Sequence, residues 1–580
     1  MRGAARLLSA SIVLLFNLTP AATHGQSTTA LAPAGRPSLA QAIWDGDLAT
    51  VKRWLASGGD PLERVEQGPP PFLAPFEVAV VAGNNDALRL LLEKLSAFPQ
   101  GDDRGGRRLA TAAAMNNVVA TRELLRRGAA ADTPVQAGSG GTALLIASEG
   151  GHVDVMDLLI KAGAAVRLQD RQGDSPLMGA IRIGSIEGVK LLLKHGADVG
   201  QRDNAGRTPL VWAARTGRAD VVRALLDAGA SIDVTDKSGQ SAMTVAVAKG
   251  HDNIVAMLRA RGAATSPSRQ TLPSARAAIE KSLPLLQRGA ATWIERAQCG
   301  ACHHRPMIDR LTALARQHGF AVDETLAAVR SQRGRGAAAN AERPTEPLIT
   351  SQPAFDLAWV QHHFAEAGVA RDAPREAAAG ALASLQFPDG RWNPGPPRVP
   401  ISGSSFVVTA SAARVLQAYG PPDQQSEMAA HVERARRWLM ANTATETHDE
   451  AFRLLGLHWS GADRAVVMSA ADALKKEQNA DGGWTQLRGM NSDAYITGLV
   501  LVALHETGLS VSDPVYRRGV DYLLRSQEPD GSWLVYTRAA PQNPYFESGF
   551  PHGKFQFISF AGSCWATMAL ILAASPPIRS

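Results

Sequence analysis

Five consecutive residues, Cys299-Gly300-Ala301-Cys302-His303, hold two of the chain's three cysteines and one of its fourteen histidines. Two thiols at this spacing, followed directly by an imidazole, can do three kinds of chemistry. The first is covalent attachment of a c-type haem: each thiol adds to a vinyl group, and the adjacent His supplies an axial nitrogen to the iron. On this reading Cys299 and Cys302 are thioether anchors and His303 is the iron ligand. The second is a local disulfide, structural or redox-active, which C-x-x-C also forms. The third is zinc held by Cys299, Cys302, His303 and His304, although four ligands within six residues fit a tetrahedron poorly. Met307 follows His303 by four residues and shares its helix face, so it cannot reach across the iron. His362, His363 or a more remote Met could take the distal position, or the site could be open.

Acid–base chemistry has three candidates. Asp493, in Ser492-Asp493-Ala494-Tyr495, opens a helical segment, and it either faces an internal cavity or serves as a plain helix cap. Glu547 and His552 lie in Tyr545-Phe546-Glu547-Ser548-Gly549-Phe550-Pro551-His552-Gly553, an aromatic, polar, Gly-bounded loop before the last helix. Loops on a rigid scaffold carry function disproportionately, and both side chains titrate in a range suited to proton transfer. The alternative is that the loop is a packed lid.

These residues need elements to position them. At 580 residues the chain should hold more than one domain. Its 45% hydrophobic and 20% charged content is ordinary for a globular chain, and a net charge of +6 is too small to mark a nucleic-acid partner. Arg2 and Arg6 precede the apolar run Leu7 to Phe16, and the small residues Ala21-Ala22-Thr23-His24-Gly25 follow. That order is a secretory signal, 1–25, cleaved near Gly25, and it implies a periplasmic or secreted protein. The apolar run is short for a bilayer span. Near the other end, Phe557 to Ala574 carries no charge over eighteen residues. It contains Ser559, Gly562, Ser563 and Thr567, and it is expected as a fully buried helix. No integral membrane span is therefore expected after signal cleavage.

Between these ends lie two kinds of repeat. Gly140, Gly173, Gly206 and Gly239 stand 33 residues apart, as do Gly163, Gly196, Gly229 and Gly262. A fixed period of this size signals a solenoid. In each unit a Thr208-Pro209-Leu210-type segment opens a first helix, an Asp220 to Leu226-type segment forms a second, and the Gly229-type residue ends it. Ser175-Pro176-Leu177, Thr142-Ala143-Leu144 and Ser241-Ala242-Met243 match, and looser units occupy Leu39 to Asp60, Phe76 to Phe98 and Leu109 to Ala131. The pattern resembles the ankyrin repeat, about seven units over 37–266. Met178, Val211 or Thr244 stands where that family carries a His. The resemblance implies binding of a protein partner, which the sequence does not name; a spacer role is the alternative.

The second half repeats a turn: Gln386-Phe387-Pro388-Asp389-Gly390-Arg391-Trp392, Gln478-Asn479-Ala480-Asp481-Gly482-Gly483-Trp484 and Gln527-Glu528-Pro529-Asp530-Gly531-Ser532-Trp533. Asp-Gly makes the tight turn, and the Trp is expected to lie back over the Gln side chain. Q-x-x-D-G-x-W resembles the repeat of squalene and hopene cyclases and of protein prenyltransferases. That resemblance implies an (α/α)6 toroid over 267–580, with about twelve helices between 272 and 574. The fold class expected is thus all-α: an ankyrin-repeat solenoid followed by the toroid. The Cys299 to His303 motif falls at its first hairpin turn, between helices near Ser274 to Arg288 and Met307 to His318, and 333–352 reads as a long internal loop. Hopene cyclases protonate substrate through D-x-D-D, which does not occur here; Asp493, His552 and Cys564 offer the zinc-ligand types of prenyltransferases without their spacing. The functional expectation is an exported partner-binding protein with covalent haem for electron transfer or redox sensing. The alternatives are an enzyme acting on an apolar, terpenoid-like or peptide substrate in the ring, and a non-catalytic scaffold.

Overall fold

The structure is a computed structural model that describes residues 39, 42–43, 46–61, 74–94, 103–135, 140–264, 272–297, 304–328, 353–393, 404–487, 490–536, 550–552 and 555–574. The expected signal segment, the Cys299 to His303 motif, the 333–352 loop and Glu547 lie outside these residues. Every regular element among the described residues is helical.

The first part is a stack of helix pairs. Its helices are α1 (Leu48–Ala56), α2 (Pro75–Val81), α3 (Asn85–Glu93), α4 (Asp103–Ala114), α5 (Val118–Arg126), α6 (Ala143–Gly150) and α7 (Val153–Lys161). They continue with α8 (Pro176–Ile183), α9 (Ile186–Lys194), α10 (Pro209–Thr216), α11 (Ala219–Asp227), α12 (Ala242–Lys249) and α13 (Asp252–Ala260). First helices pack on first helices, from α2 through α4, α6, α8 and α10 to α12, and second helices on second. The sequence builds each start the same way. Thr142, Ser175, Thr208 and Ser241 are N-caps whose hydroxyls accept a backbone N–H three residues on. One apolar face of each pair closes on its neighbours, so the core runs along the stack.

Turn tips join one unit to the next through the backbone: Asn204 N–H donates to the Gln172 carbonyl at 3.0 Å, and Lys237 N–H to Ala205 at 2.9 Å. Gly173 makes this approach possible. Its φ is +76°, and a Cβ there would lie 2.7 Å from the Asn204 nitrogen and 2.9 Å from the Asp203 Cα. Gly173→Ala is expected to lower array stability by about 1–3 kcal/mol, read as a reduced urea midpoint.

The second part closes on itself. Its helices are α14 (Ala275–Ala297), α15 (His304–Gln317), α16 (Pro353–Glu366), α17 (Ala373–Ser384), α18 (Ser405–Tyr419) and α19 (Gln425–Ala441). They are followed by α20 (Thr447–Trp459), α21 (Arg464–Lys476), α22 (Ala494–Glu506), α23 (Pro514–Ser526) and α24 (Gln556–Ala574). Helices α15, α16, α18, α20, α22 and α24 form an inner ring, each packed on the next and α24 packed back on α15. Helices α14, α17, α19, α21 and α23 stand outside it. Helix α14 runs to Ala297, past the expected end near Arg288. Gly289 lets the helix pass close to aromatic rings, since a Cβ there would sit 3.0 Å from Phe550. Helix α24 is long and apolar enough to cross a membrane, and 78% of that stretch is buried inside the ring.

The three Gln-to-Trp turns are the joints. The indole N–H of Trp392, Trp484 and Trp533 donates to the carbonyl of Leu382, Leu474 and Leu523, at 2.6, 2.8 and 2.8 Å. Each Trp is thus tied to the end of the preceding outer helix. The Gln side chain makes its own polar contacts, separate from those of the indole N–H. Its amide donates to the carbonyl of its own turn glycine and to the following outer helix, at His431, Val515 and Ala278 for Gln386, Gln478 and Gln527. The amide carries two N–H donors and so satisfies both backbone carbonyls at once. The third joint reaches α14 and so shuts the ring.

Candidate functional site

The inner ring buries charge. Arg310 on α15 pairs with Glu506 on α22 and lies 3.7 Å from Glu366 on α16, and Arg414 on α18 bonds Glu366 at 2.7 Å. Arg310 is only 7% exposed, and its Nη1 has no partner. Burial pushes the Glu506 carboxyl up to about 7, and the Glu366 charge adds to this against the pull of Arg310 and Arg414. A folded-state value above the usual carboxylate range means that stability from this group is fully present at low pH and is lost as pH rises from about 4.5 through 7. Glu506→Gln is therefore expected to be nearly neutral below pH 5 and to flatten this decline above it, in urea midpoints measured across that range.

Beside this cluster stand His362 and His363, both fully buried on α16. Their Nδ1 atoms lie 3.3 and 2.9 Å from the carbonyls of Ala358 and Trp359 and so carry the proton. Their Nε2 lone pairs have no partner. Burial, followed by neighbouring positive charge, drives both imidazoles down, His363 to about 3, so both are neutral at ordinary pH. Trp359, Phe452, Trp459 and Trp565 surround them. The His pair was legible as a doublet. Arg310, Glu366, Arg414 and Glu506 were not, because a lone charge on an amphipathic helix reads as a solvated face.

The two acid–base candidates among the described residues, Asp493 and His552, lie away from this interior. Asp493 is the N-cap of α22: Oδ1 accepts the Ile496 N–H at 3.0 Å and Oδ2 accepts the Gln486 amide at 2.9 Å. It lies just before an inner helix, so it lines a cavity at the ring's mouth, shared with Arg182, Arg215 and Lys249, instead of one at the ring's centre. His552 has φ +85°, and its Nε2 lies 2.7 Å from Ser532 Oγ. The Ser532 hydroxyl donates to Asp530 Oδ1 at 2.5 Å, so His552 Nε2 is the donor to Ser532. Burial lowers the imidazole to about 4. His552 thus braces the third turn. Cys299, Cys302, His303 and Glu547 fall outside the described residues. The first three lie between the end of α14 at Ala297 and the start of α15 at His304. Met307 is fully buried on α15.

Comparison with protein families gives two matches. A model of ankyrin repeats matches three copies over 109–203 and 199–268, and one of the squalene-hopene cyclase C-terminal domain matches 423–577. The chain is an ankyrin array fused to a squalene-hopene cyclase-like ring. No curated protein matches the chain. The array suits the fusion to protein partners.

The cyclase-like ring also meets the array of its own chain. Arg182, Arg215 and Lys249 recur in the last turns of α8, α10 and α12. Arg215 and Lys249 both pair with Glu528 of the third turn, and Lys249 also donates to the Ser526 carbonyl at 3.2 Å. Two cations hold the Glu528 carboxyl down at about 2 against its burial. The Arg182 guanidinium lies over the rings of Trp212, Tyr536 and Phe555, and Trp212 meets Tyr536 edge-on at 6.2 Å. Leu534 and Tyr536 pack against both hydrophobic cores.

Proposed function

We propose that the fusion is an exported interaction protein, in which the array binds a protein partner and the ring carries covalent haem c at Cys299, Cys302 and His303. The supporting observation is the place of the pentapeptide, in the link between an outer helix, α14, and an inner one, α15. Such haem would supply one-electron transfer, for an electron carrier or a redox sensor. Export, to the periplasm or beyond, is the compartment that such attachment requires, and the Arg2 to Gly25 pattern supports it.

The described residues fit such a group in one respect. His362 and His363, on the helix next to α15, keep unprotonated Nε2 atoms without partners, the form in which imidazole ligates iron. Expression in a host that matures c-type cytochromes tests the reading. The expected result is a haemochrome spectrum that survives acid–acetone extraction and a polypeptide mass raised by one haem, both lost in Cys299→Ser/Cys302→Ser. Colourless protein of unmodified mass would overturn it.

A second reading, an enzyme acting on an apolar substrate inside the ring, is favoured by Glu506, a carboxyl held at about 7 near aromatic walls. A group at that value is suited to general acid–base work near neutrality. Turnover of an apolar substrate that is unchanged in Glu506→Gln would exclude this role.

A further inference from the structure

The junction between array and ring holds a partly open cavity of about 300 Å³. Its walls include Arg182 from the array and Asn491, Asp493, Tyr522, Arg525 and Tyr536 from the ring. We infer that this junction is a binding site for a small organic carboxylate that also carries an N–H or O–H donor.

The hydrogen-bonding balance of the walls carries it. Each of the carboxylates already accepts hydrogen bonds. Asp493 caps α22 and holds Gln486. Glu528 is matched by Arg215 and Lys249. Asp481 accepts the Gly483 N–H and the Ser492 hydroxyl, both at 2.9 Å. The cations are not all matched. Arg525 donates to the Asp481 carbonyl at 2.7 Å and has no carboxylate partner among the described residues. Arg182 is 2% exposed, and its two Nη atoms bond Asp174 at 2.5 Å and Glu149 at 2.8 Å. Its Nε, however, has no partner. A buried guanidinium N–H left unmade costs free energy that an anionic acceptor restores.

One buried acceptor is also left over. Asn491 fixes its own orientation by donating Nδ2–H to the Arg182 carbonyl at 2.9 Å, and its Oδ1 has no partner. A ligand that engages these groups would bring a donor to Asn491 and an acceptor to Arg182 and Arg525. Leu534 and the rings of Tyr522 and Tyr536 line the rest of the cavity and accommodate a short carbon frame. The volume is at the small end of small-molecule sites. Because the walls come from both modules, an occupant would bridge them.

Isothermal titration of the full chain with L-malate and with L-glutamate tests the proposal. Saturable binding of at least one of them is expected, weakened about tenfold or more in Asn491→Ala and in Arg525→Gln. The urea midpoint of ligand-free Arg525→Gln should stay close to the wild-type value, because that side chain is only partly buried and holds a single turn carbonyl, and this separates loss of site from loss of fold. Absence of heat with both compounds at about 10 mM would overturn the proposal. So would equal binding of acetate and inorganic phosphate that is insensitive to Asn491→Ala, since that describes a generic anion site.

Discussion

Glu528→Ala is expected to destabilise the protein by about 3–5 kcal/mol. Arg215 and Lys249 are 16% and 15% exposed, and both direct their charge at a carboxylate that is itself 11% exposed. Removing it leaves two cations desolvated and unpaired, which costs far more than the pair contributes over an apolar replacement. Burial already lowers the Lys249 ammonium below its usual range, so in the variant this side chain should shed its proton more readily. The effect carries a pH signature. The folded-state carboxyl lies at about 2, below its unfolded value, so its contribution is present above about pH 4.5 and disappears as pH falls through 2. Urea denaturation of wild type and variant at neutral and acid pH measures both: the gap in midpoint should be wide at pH 7 and closed near pH 2. A gap of constant width would mean that Glu528 acts through shape and not through charge.

Trp533→Ala should cost about 3–5 kcal/mol, the range for deleting a large buried aromatic side chain. Trp533 is fully buried, its indole N–H holds the Leu523 carbonyl at 2.8 Å, and its backbone N–H donates to Ser563 Oγ on α24 at 3.0 Å. Trp392 and Trp484 make the same two kinds of contact, but only the third turn binds α14 and shuts the ring. The loss should therefore appear as early protease cleavage near α14 as well as a lower unfolding midpoint. Trp533→Phe keeps most of the buried area and loses one hydrogen bond, so it should cost nearer 1 kcal/mol for that bond. If the two variants fall equally, the indole N–H and not the buried ring supplies the strength of the joint.

Much of this architecture was legible because it is local. A cap hydroxyl, a first-turn Pro and a Gly at a turn tip act within a few residues, so their recurrence at Thr208, Pro209 and Gly206 gave the helix pairs directly. The Gln-to-Trp turns were equally legible, although the partner of the Gln was not, because Gln527 meets Ala278 from 249 residues further along the chain. The functional surfaces were hardest to read for the same reason. Arg310 and Glu506 meet only after six inner helices close, and each alone is an unremarked charge. Asp493 could be read as a helix cap or as a residue facing the ring's cavity, and the cap is what the fold uses; its place at the mouth was not legible, because nothing in its neighbourhood announces that the array folds there. Arg182, Arg215 and Lys249 announced it weakly, as cations repeated at one position of a helix that otherwise buries its length.

The closing helix has a consequence for how the protein is made. Helix α24 comes last in the described chain, yet it packs on α14 and α15, which are synthesised more than two hundred residues earlier. The ring therefore cannot assemble in the order of translation. Until residues 556–574 emerge, it is an open horseshoe that leaves Ile279, Met307 and Leu311 wanting cover, while the array ahead of it can already fold unit by unit. A nascent chain with one finished module and one gaping module is a natural client for a holding chaperone.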